Sequence, residues 1–197
     1  MNSLKLMKSK QPYSVIYRKF TSRPQQRLRK ETAKLCWEYN LTNPLDTDRK
    51  DLILRKLFRS KFDLFITSPF HCDYGFNINL TGPVFFNYGV DIVDTSPVTF
   101  GKNVRIGPHT CIACTGHSID YHQRRQGVVI SKPINIGDDV WLGANCFIKG
   151  GVAIGNHSVI GAGSVVTHNI PADVVAFGSP CNVHRKINRH DRIDNLK

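Results

Sequence analysis

The sequence predicts a mainly β fold: a parallel solenoid of six-residue repeats, with a helical cap before it and one long loop inserted into it. Three observations carry this expectation. Ile136, Leu142, Ile148, Ile154, Ile160 and Val166 follow one another at intervals of six, and glycine succeeds the aliphatic residue at Gly137, Gly143, Gly155 and Gly161. The same frame appears earlier as Phe100-Gly101, Ile106-Gly107 and Ile112-Ala113 and, shifted by two, as Tyr74-Gly75, Leu80, Phe86 and Ile92. Ahead of the repeats, residues 22–60 instead space their apolar side chains as a helix does. A single period held over thirteen units marks a repeat architecture and outranks local propensity.

Taken in order, residues 1–12 hold Lys5, Lys8 and Lys10 and no acid, and are expected to form a basic flexible arm. Residues 13–62 make the helical cap. Its first helix spans 22–40, with Leu28, Thr32, Leu35 and Tyr39 on one face, Thr21 or Ser22 as cap and Pro24 in the first turn. Asn43-Pro44 stops it. A second helix runs over 47–60 behind Asp46, Thr47 or Asp48, with Ile53, Leu54, Leu57 and Phe58 sharing a face. The short link makes the two a helical hairpin. Residues 63–183 are the solenoid. Each unit turns inward its aliphatic residue and a small or β-branched one four places on: Val140, Cys146, Val152, Ser158 and Ser164. Glycine is expected where the corner needs a permissive backbone. Three units close a coil, and stacked coils bury a continuous aliphatic column. After Ile112 the next unit is due at 118, yet the frame resumes only at Ile136. Residues 117–133 are therefore a loop thrown out from the solenoid, an interruption of the kind that serves a binding face. Residues 184–197 are a basic tail.

Composition narrows the function. The chain has 197 residues and a net charge of +12. Residues 1–30 carry nine Lys/Arg and no acid, residues 184–197 carry five against two, and the middle holds thirteen of each sign. Because the body is neutral, a broad nucleic-acid-binding face is not expected. No apolar run approaches the roughly 18 residues of a membrane helix, and no apolar signal core opens the chain. The expected compartment is the cytoplasm, with an organellar targeting segment as the other reading of the basic start. Of six cysteines only Cys111 and Cys114 are close, and no second pair completes a zinc set, so all are read as reduced and mostly structural.

Several stretches are similar to one family. Cys36-Trp-Glu-Tyr-Asn40 with the following helix resembles the cap of the maltose and galactoside O-acetyltransferases, which belong to the hexapeptide-repeat acyltransferases. So do Pro69-Phe-His-Cys-Asp-Tyr-Gly75, Thr115-Gly-His117 and Val159-Ile-Gly-Ala-Gly-Ser-Val-Val-Thr167, in the family's order, and the likeness covers residues 13–188. The resemblance implies a left-handed parallel β-helix, against the usual handedness of parallel crossovers. It implies a homotrimer with acetyl-CoA as acyl donor, a sugar-like small hydroxyl acceptor and no metal.

Transfer of an acetyl group to a hydroxyl needs a base, and imidazole titrates in the right range. The resemblance makes His117 that base. It places Asn87, Asp94 and Asp73 against the acceptor, with Thr95 beside Asp94. It puts the Ala144 N–H where the tetrahedral oxyanion forms, a task that any backbone donor can perform. Along the cofactor groove it matches Trp141, Ala162, Thr167, His168, Asn182 and Arg185. Arg185 and Lys186 suit the 3′-phosphate, which wants a cation.

The departures point elsewhere in places. His168 and Asn182 stand where relatives commonly have Lys and Arg, which shifts phosphate binding toward Arg185, Lys186 and Arg189. Gly127-Val-Val-Ile130 lacks the Glu that many relatives carry after the base, leaving Asp120 or a backbone carbonyl to orient His117. Nothing before Glu31 is acidic, which argues against a galactoside acceptor. Two alternatives differ in class. One is a non-catalytic or diverged trimeric hexapeptide-repeat protein, against which Asn87, His117 and Trp141 speak. The other resembles the γ-type carbonic anhydrases, with His117 and His122 five apart and His109 as a third zinc ligand.

Overall fold

The computed structural model describes residues 3–58, 62 and 64–194. The cap helices form where capping and burial favour them. Helix α1 covers Ser3–Met7, α2 Tyr17–Phe20, α3 Arg23–Leu41 and α4 Thr47–Phe58. Ser22 caps α3: its hydroxyl accepts the Gln25 N–H, while the Gln25 side chain accepts the Ser22 N–H. The Asp46 carboxylate accepts the Arg49 N–H at 3.1 Å at the start of α4. Thr32, Cys36 and Tyr39 of α3 and Ile53, Leu54, Leu57 and Phe58 of α4 are buried. The expected last turn of α4, at 59–60, lies outside the described residues.

From Leu64 the chain coils left-handed through three parallel sheets. The first face stacks Leu64–Ile66, Val84–Phe86, Val104–Ile106, Trp141–Leu142, Val159–Ile160 and Val174–Gly178. The second stacks Phe70–Cys72, Val90–Val93, Cys111–Ala113, Phe147–Lys149 and Val165–Val166. The third stacks Ile78–Leu80, Val98–Phe100, Ile134–Ile136 and Ala153–Ile154. Register puts like on like: Phe86, Ile106, Leu142 and Ile160 form one buried column, and Ile92, Ile112, Ile148 and Val166 a second. Helix α4 sits over the first coil, where Phe58 meets Phe70 edge-on at 5.6 Å.

Gly75 takes the left-handed conformation expected of a corner glycine, at φ 70°, but most glycines that follow the repeat's aliphatic residues do a different job. The left-handed corner positions fall two residues further on, at Asn103, His109, Asp139, Asn145, His157 and Asp173, with φ between 55° and 62°, and at Gly89 and Gly163, with φ of 72°. Asn and Asp tolerate that conformation best among residues with side chains. Gly101, Gly107 and Gly143 are needed for contact instead. A Cβ on them would lie 2.5–2.6 Å from the backbone nitrogens of Asp138, Ala144 and Ala162 on the next coil. Glycine here lets successive coils stack closely.

The two-residue frame shift also has a physical origin. Cys72 and Leu80 point inward, as do Ile92 and Phe100, eight residues apart in each case instead of six. The extra residues fall at the corner between second and third faces, at 73–77 and 94–97. Tyr74 is therefore not a coil position. It packs with Met7 and Tyr13 in a separate small cluster.

Three further expectations are corrected. Residues 3–12 are not simply a flexible arm: α1 forms, Met7 is fully buried, and Tyr13–Ile16 is a strand. The insertion is not an open loop. Thr115–His117 and Val128–Ser131 pair antiparallel around helix α5 (Tyr121–Arg125), and Tyr13–Ile16 pairs along the other edge of Val128–Ser131. The tail is ordered as far as 194: Cys181–Lys186 returns antiparallel along Val174–Gly178, and Arg189–Asp191 makes a 3₁₀ turn. Residues 1–2 and 195–197 of the two basic ends lie outside the described residues.

Candidate active site

The coil distributes the predicted site residues over corners and faces. At the corner between first and second faces, Asn87, Gly107, Gly143 and Gly161 lie one above another, because each N–H or its strand neighbour bonds to the next coil. This corner brings together Asn87, Ala144 and Ala162. Asn87 accepts the Tyr88 N–H at 2.9 Å through its carbonyl oxygen, and its amino group has no partner among the described residues. The Ala144 N–H likewise donates to nothing among the described residues, whereas its carbonyl accepts the Gly163 N–H at 2.8 Å. An unpaired, half-buried N–H on a rigid corner can receive a developing negative charge. Gly107 keeps that donor open, since any Cβ there would sit 2.6 Å from the Ala144 nitrogen. Sequence alone does not mark this role of Gly107, because the Gly after Ile106 acquires it only from the neighbouring coil.

The next corner, between second and third faces, carries Asp73, Asp94 and the hairpin with His117. Asp94 is fully buried. Its Oδ1 accepts the N–H groups of Asp73 at 3.0 Å and Tyr74 at 2.8 Å, and its Oδ2 has no partner among the described residues. Burial raises its pKa to about 7, against the Tyr74 N–H, which lowers it, and with Asp73 adding to the rise. Asp94 thus anchors the corner backbone, and Asp73 is the acid nearer the surface. Asp73 is held by Arg29 at 2.9 Å, whose other arm donates to the Tyr17 hydroxyl at 3.0 Å.

Asp94 makes stability depend on pH. Its ordinary value is 3.8 and its folded value about 7. Between these the folded chain keeps a proton that the unfolded chain has lost. Stability therefore falls as pH rises from about 4 to about 7 and levels off above. Asp94→Asn keeps the Oδ1 acceptor and should flatten that part of a thermal-midpoint profile. An unchanged slope would show that another group sets it.

His117 is exposed at the end of the strand Thr115–His117, opposite Val129. Asp120 does not orient it: that carboxylate accepts the Gln123 N–H at 2.8 Å and caps α5. Among the described residues no hydrogen bond reaches the His117 imidazole. Within one chain His117 stands apart from Asn87 and Ala144. They occupy opposite edges of the second face, whose strand Val90–Val93 alone is roughly 13 Å long.

The cofactor candidates divide the same way. Trp141 projects from the first face, 54% exposed, beside Val159 and Arg105. Thr167 and His168 lie with His117 on the corner between second and third faces, their side chains 3.4 Å apart. Asn182 donates to the Pro180 carbonyl at 3.1 Å on the returning strand. Arg185 is already engaged: Asp191 takes both guanidinium arms, at 2.6 and 2.7 Å, and that bond holds the Asp191 carboxyl below the usual range. Lys186 and Arg189, by contrast, pair with no acid among the described residues. His109 lies on a different corner from His117, His122 packs on Tyr121, and among the described residues no three His, Cys, Asp or Glu converge as a metal site.

The chain has relatives among known proteins in both sequence and fold. Residues 133–168 match the family described as the hexapeptide repeat of succinyl-transferase. The galactoside O-acetyltransferase of Escherichia coli is 39% identical over 170 residues, which cover 86% of this chain and 83% of that one. A hexapeptide-repeat acetyltransferase of Vibrio cholerae, solved with acetyl-CoA, superposes with a TM-score of 0.86 at 34% identity, over 95% of this chain and all of the other. A maltose O-acetyltransferase of Clostridium difficile gives 0.83 at 36% identity, over 85% of this chain and 90% of the other.

Proposed function

The chain belongs to the hexapeptide-repeat O-acetyltransferases of the galactoside and maltose type, and from that premise we propose that His117 is the general base of an acetyl transfer completed between two copies of the chain. The protein is an acetyl-CoA-dependent O-acetyltransferase acting on a small hydroxylated acceptor. The observation that carries the proposal is the division of the site. His117, Asp73 and Asp94 stand on one corner, and Asn87 and the Ala144 N–H, unpaired among the described residues, stand on the next. In a closed trimer one protomer's corner faces its neighbour's, and the base of one meets the oxyanion donor of the other.

His117 takes the proton of the acceptor hydroxyl as its oxygen attacks the thioester carbonyl. The Ala144 N–H donates to the oxyanion that forms. As the carbon–sulfur bond breaks, the imidazolium returns its proton to the departing sulfur, giving an acetyl ester and the free thiol. Asn87 and Asp73 orient the acceptor. Trp141 and Ala162 border the donor on one side and Thr167 and His168 on the other. We assign its phosphates to Asn182, Lys186 and Arg189, with Arg185 joining them only by releasing Asp191. A cytoplasmic setting fits six free thiols, among them Cys36 and Cys72 with sulfurs 3.9 Å apart.

The test is a panel of maltose, glucose, methyl β-galactoside and glycerol with acetyl-CoA, reading thiol release and ester formation. Turnover with at least one sugar supports the reading. No ester with any of them, together with no binding of coenzyme A, would favour the non-catalytic trimer.

A further inference from the structure

The strand that carries His117 is rooted in a cluster of hydroxyl groups that the acetyl-transfer chemistry does not use. Ser131, at the end of Val128–Ser131, lies opposite Thr115 on one side and Tyr13 on the other. Its hydroxyl is 2.6 Å from that of Ser96 and 2.7 Å from that of Thr95, and Ser96 and Ser131 are both fully buried or nearly so. Thr95 also touches the Thr115 hydroxyl, and its carbonyl accepts the Tyr13 hydroxyl at 2.7 Å. The Cys114 thiol closes the cluster on the Ser96 carbonyl at 3.4 Å. Thr95 directly follows Asp94, and Thr115 stands two residues before His117.

Register is what such a cluster controls. A slip of one residue in a β-pair sends every side chain to the opposite face. Along Val128–Ser131 the inward residues are Val129 and Ser131. Val129 alone would also tolerate other apolar partners, whereas in this register the buried Ser131 hydroxyl meets the hydroxyls of Thr95 and Ser96. A buried hydroxyl without a partner is costly, so alternative registers are disfavoured. We propose that Tyr13, Thr95 and Ser131 are positioning residues for the reaction, fixing the hairpin register that aims His117 across the corner, and that the N-terminal strand Tyr13–Ile16 is the clamp that closes the network. This rests on the reading of His117 as the base.

The experiment compares Thr95→Val, Thr95→Ser and Tyr13→Phe, each alone and with His117→Ala, in the full-length protein. Turnover uses the panel acceptor with the highest rate. Amide exchange of residues 115–117 and 128–131 is followed as well, since it needs no acceptor. Thr95→Val should lower kcat about three- to thirty-fold, leave the KM for acetyl-CoA within about two-fold, and speed exchange in the hairpin. Tyr13→Phe should act in the same direction and more weakly, and Thr95→Ser should restore wild-type behaviour. In the His117→Ala background Thr95→Val should cost nothing further, because its effect passes through the imidazole. Two outcomes overturn the proposal: Thr95→Val with wild-type kcat and exchange, or an equal loss with and without His117. Should His117→Ala itself keep full turnover, the assignment of the base fails, and hairpin exchange still reports whether the network holds the register.

Discussion

Replacing His117 with alanine should lower kcat by about two to four orders of magnitude, the usual worth of a positioned base, while the KM for acetyl-CoA moves by less than about two-fold. In the proposed mechanism the imidazole works on the acceptor hydroxyl, whereas the donor is bordered by Trp141 and Ala162 on one side and by Thr167 and His168 on the other. Loss of the side chain should not disturb the fold, because His117 is exposed and no hydrogen bond reaches its ring among the described residues. Steady-state thiol release and coenzyme A titration separate the two effects. A variant whose turnover stays within a few-fold of wild type would remove His117 from the chemistry.

The largest expected effect on stability comes from Phe86→Ala. Phe58 of α4, Phe70, Phe86 and Phe100 form a continuous buried aromatic chain, with centroid separations of 5.6, 6.2 and 5.1 Å. Phe86 is its central link between the cap-facing coil and the coils beyond. Truncating it leaves a cavity that stacked backbones cannot collapse to fill. The cost should be about 3–5 kcal/mol, and Phe86→Leu should cost less than half of that. Denaturant unfolding at fixed protein concentration measures both. A loss below about 1 kcal/mol for Phe86→Ala would mean that the coils rearrange more freely than their hydrogen bonding implies.

The period of six was legible because inward aliphatics must recur wherever three sides close a coil. The cap was legible through Ser22, Pro24 and the apolar face of α4. The corners were not, because their chemistry depends on what lies one coil above. Gly107 and Gly143 look in sequence like turn residues, and only the Ala144 and Ala162 nitrogens behind them reveal close stacking. Tyr74 fell into the repeat by spacing alone, although Met7 and Tyr13, sixty and more residues away, decide where it packs. The N-terminal strand was hidden for a related reason. Tyr13–Ile16 alternates too briefly to announce a strand, and its partner, Val128–Ser131, belongs to an insertion that interrupts the repeat. Among the site residues, the corner of His117 followed from the broken frame. That Arg185 is engaged by Asp191 could not be foreseen, since the pairing depends on the 3₁₀ turn at Arg189–Asp191 folding back.

The division of the site between two copies is tested most directly by subunit complementation. His117→Ala and Asn87→Ala proteins are prepared separately, and each should turn over poorly. Co-assembled in equal amounts, they should regain activity. In a randomly mixed closed ring, about one interface in four pairs an intact His117 with an intact Asn87 from the neighbour, so roughly a quarter of wild-type activity is expected. Mixed assemblies no more active than the parents would place His117 and Asn87 in the same chain's site and contradict the account.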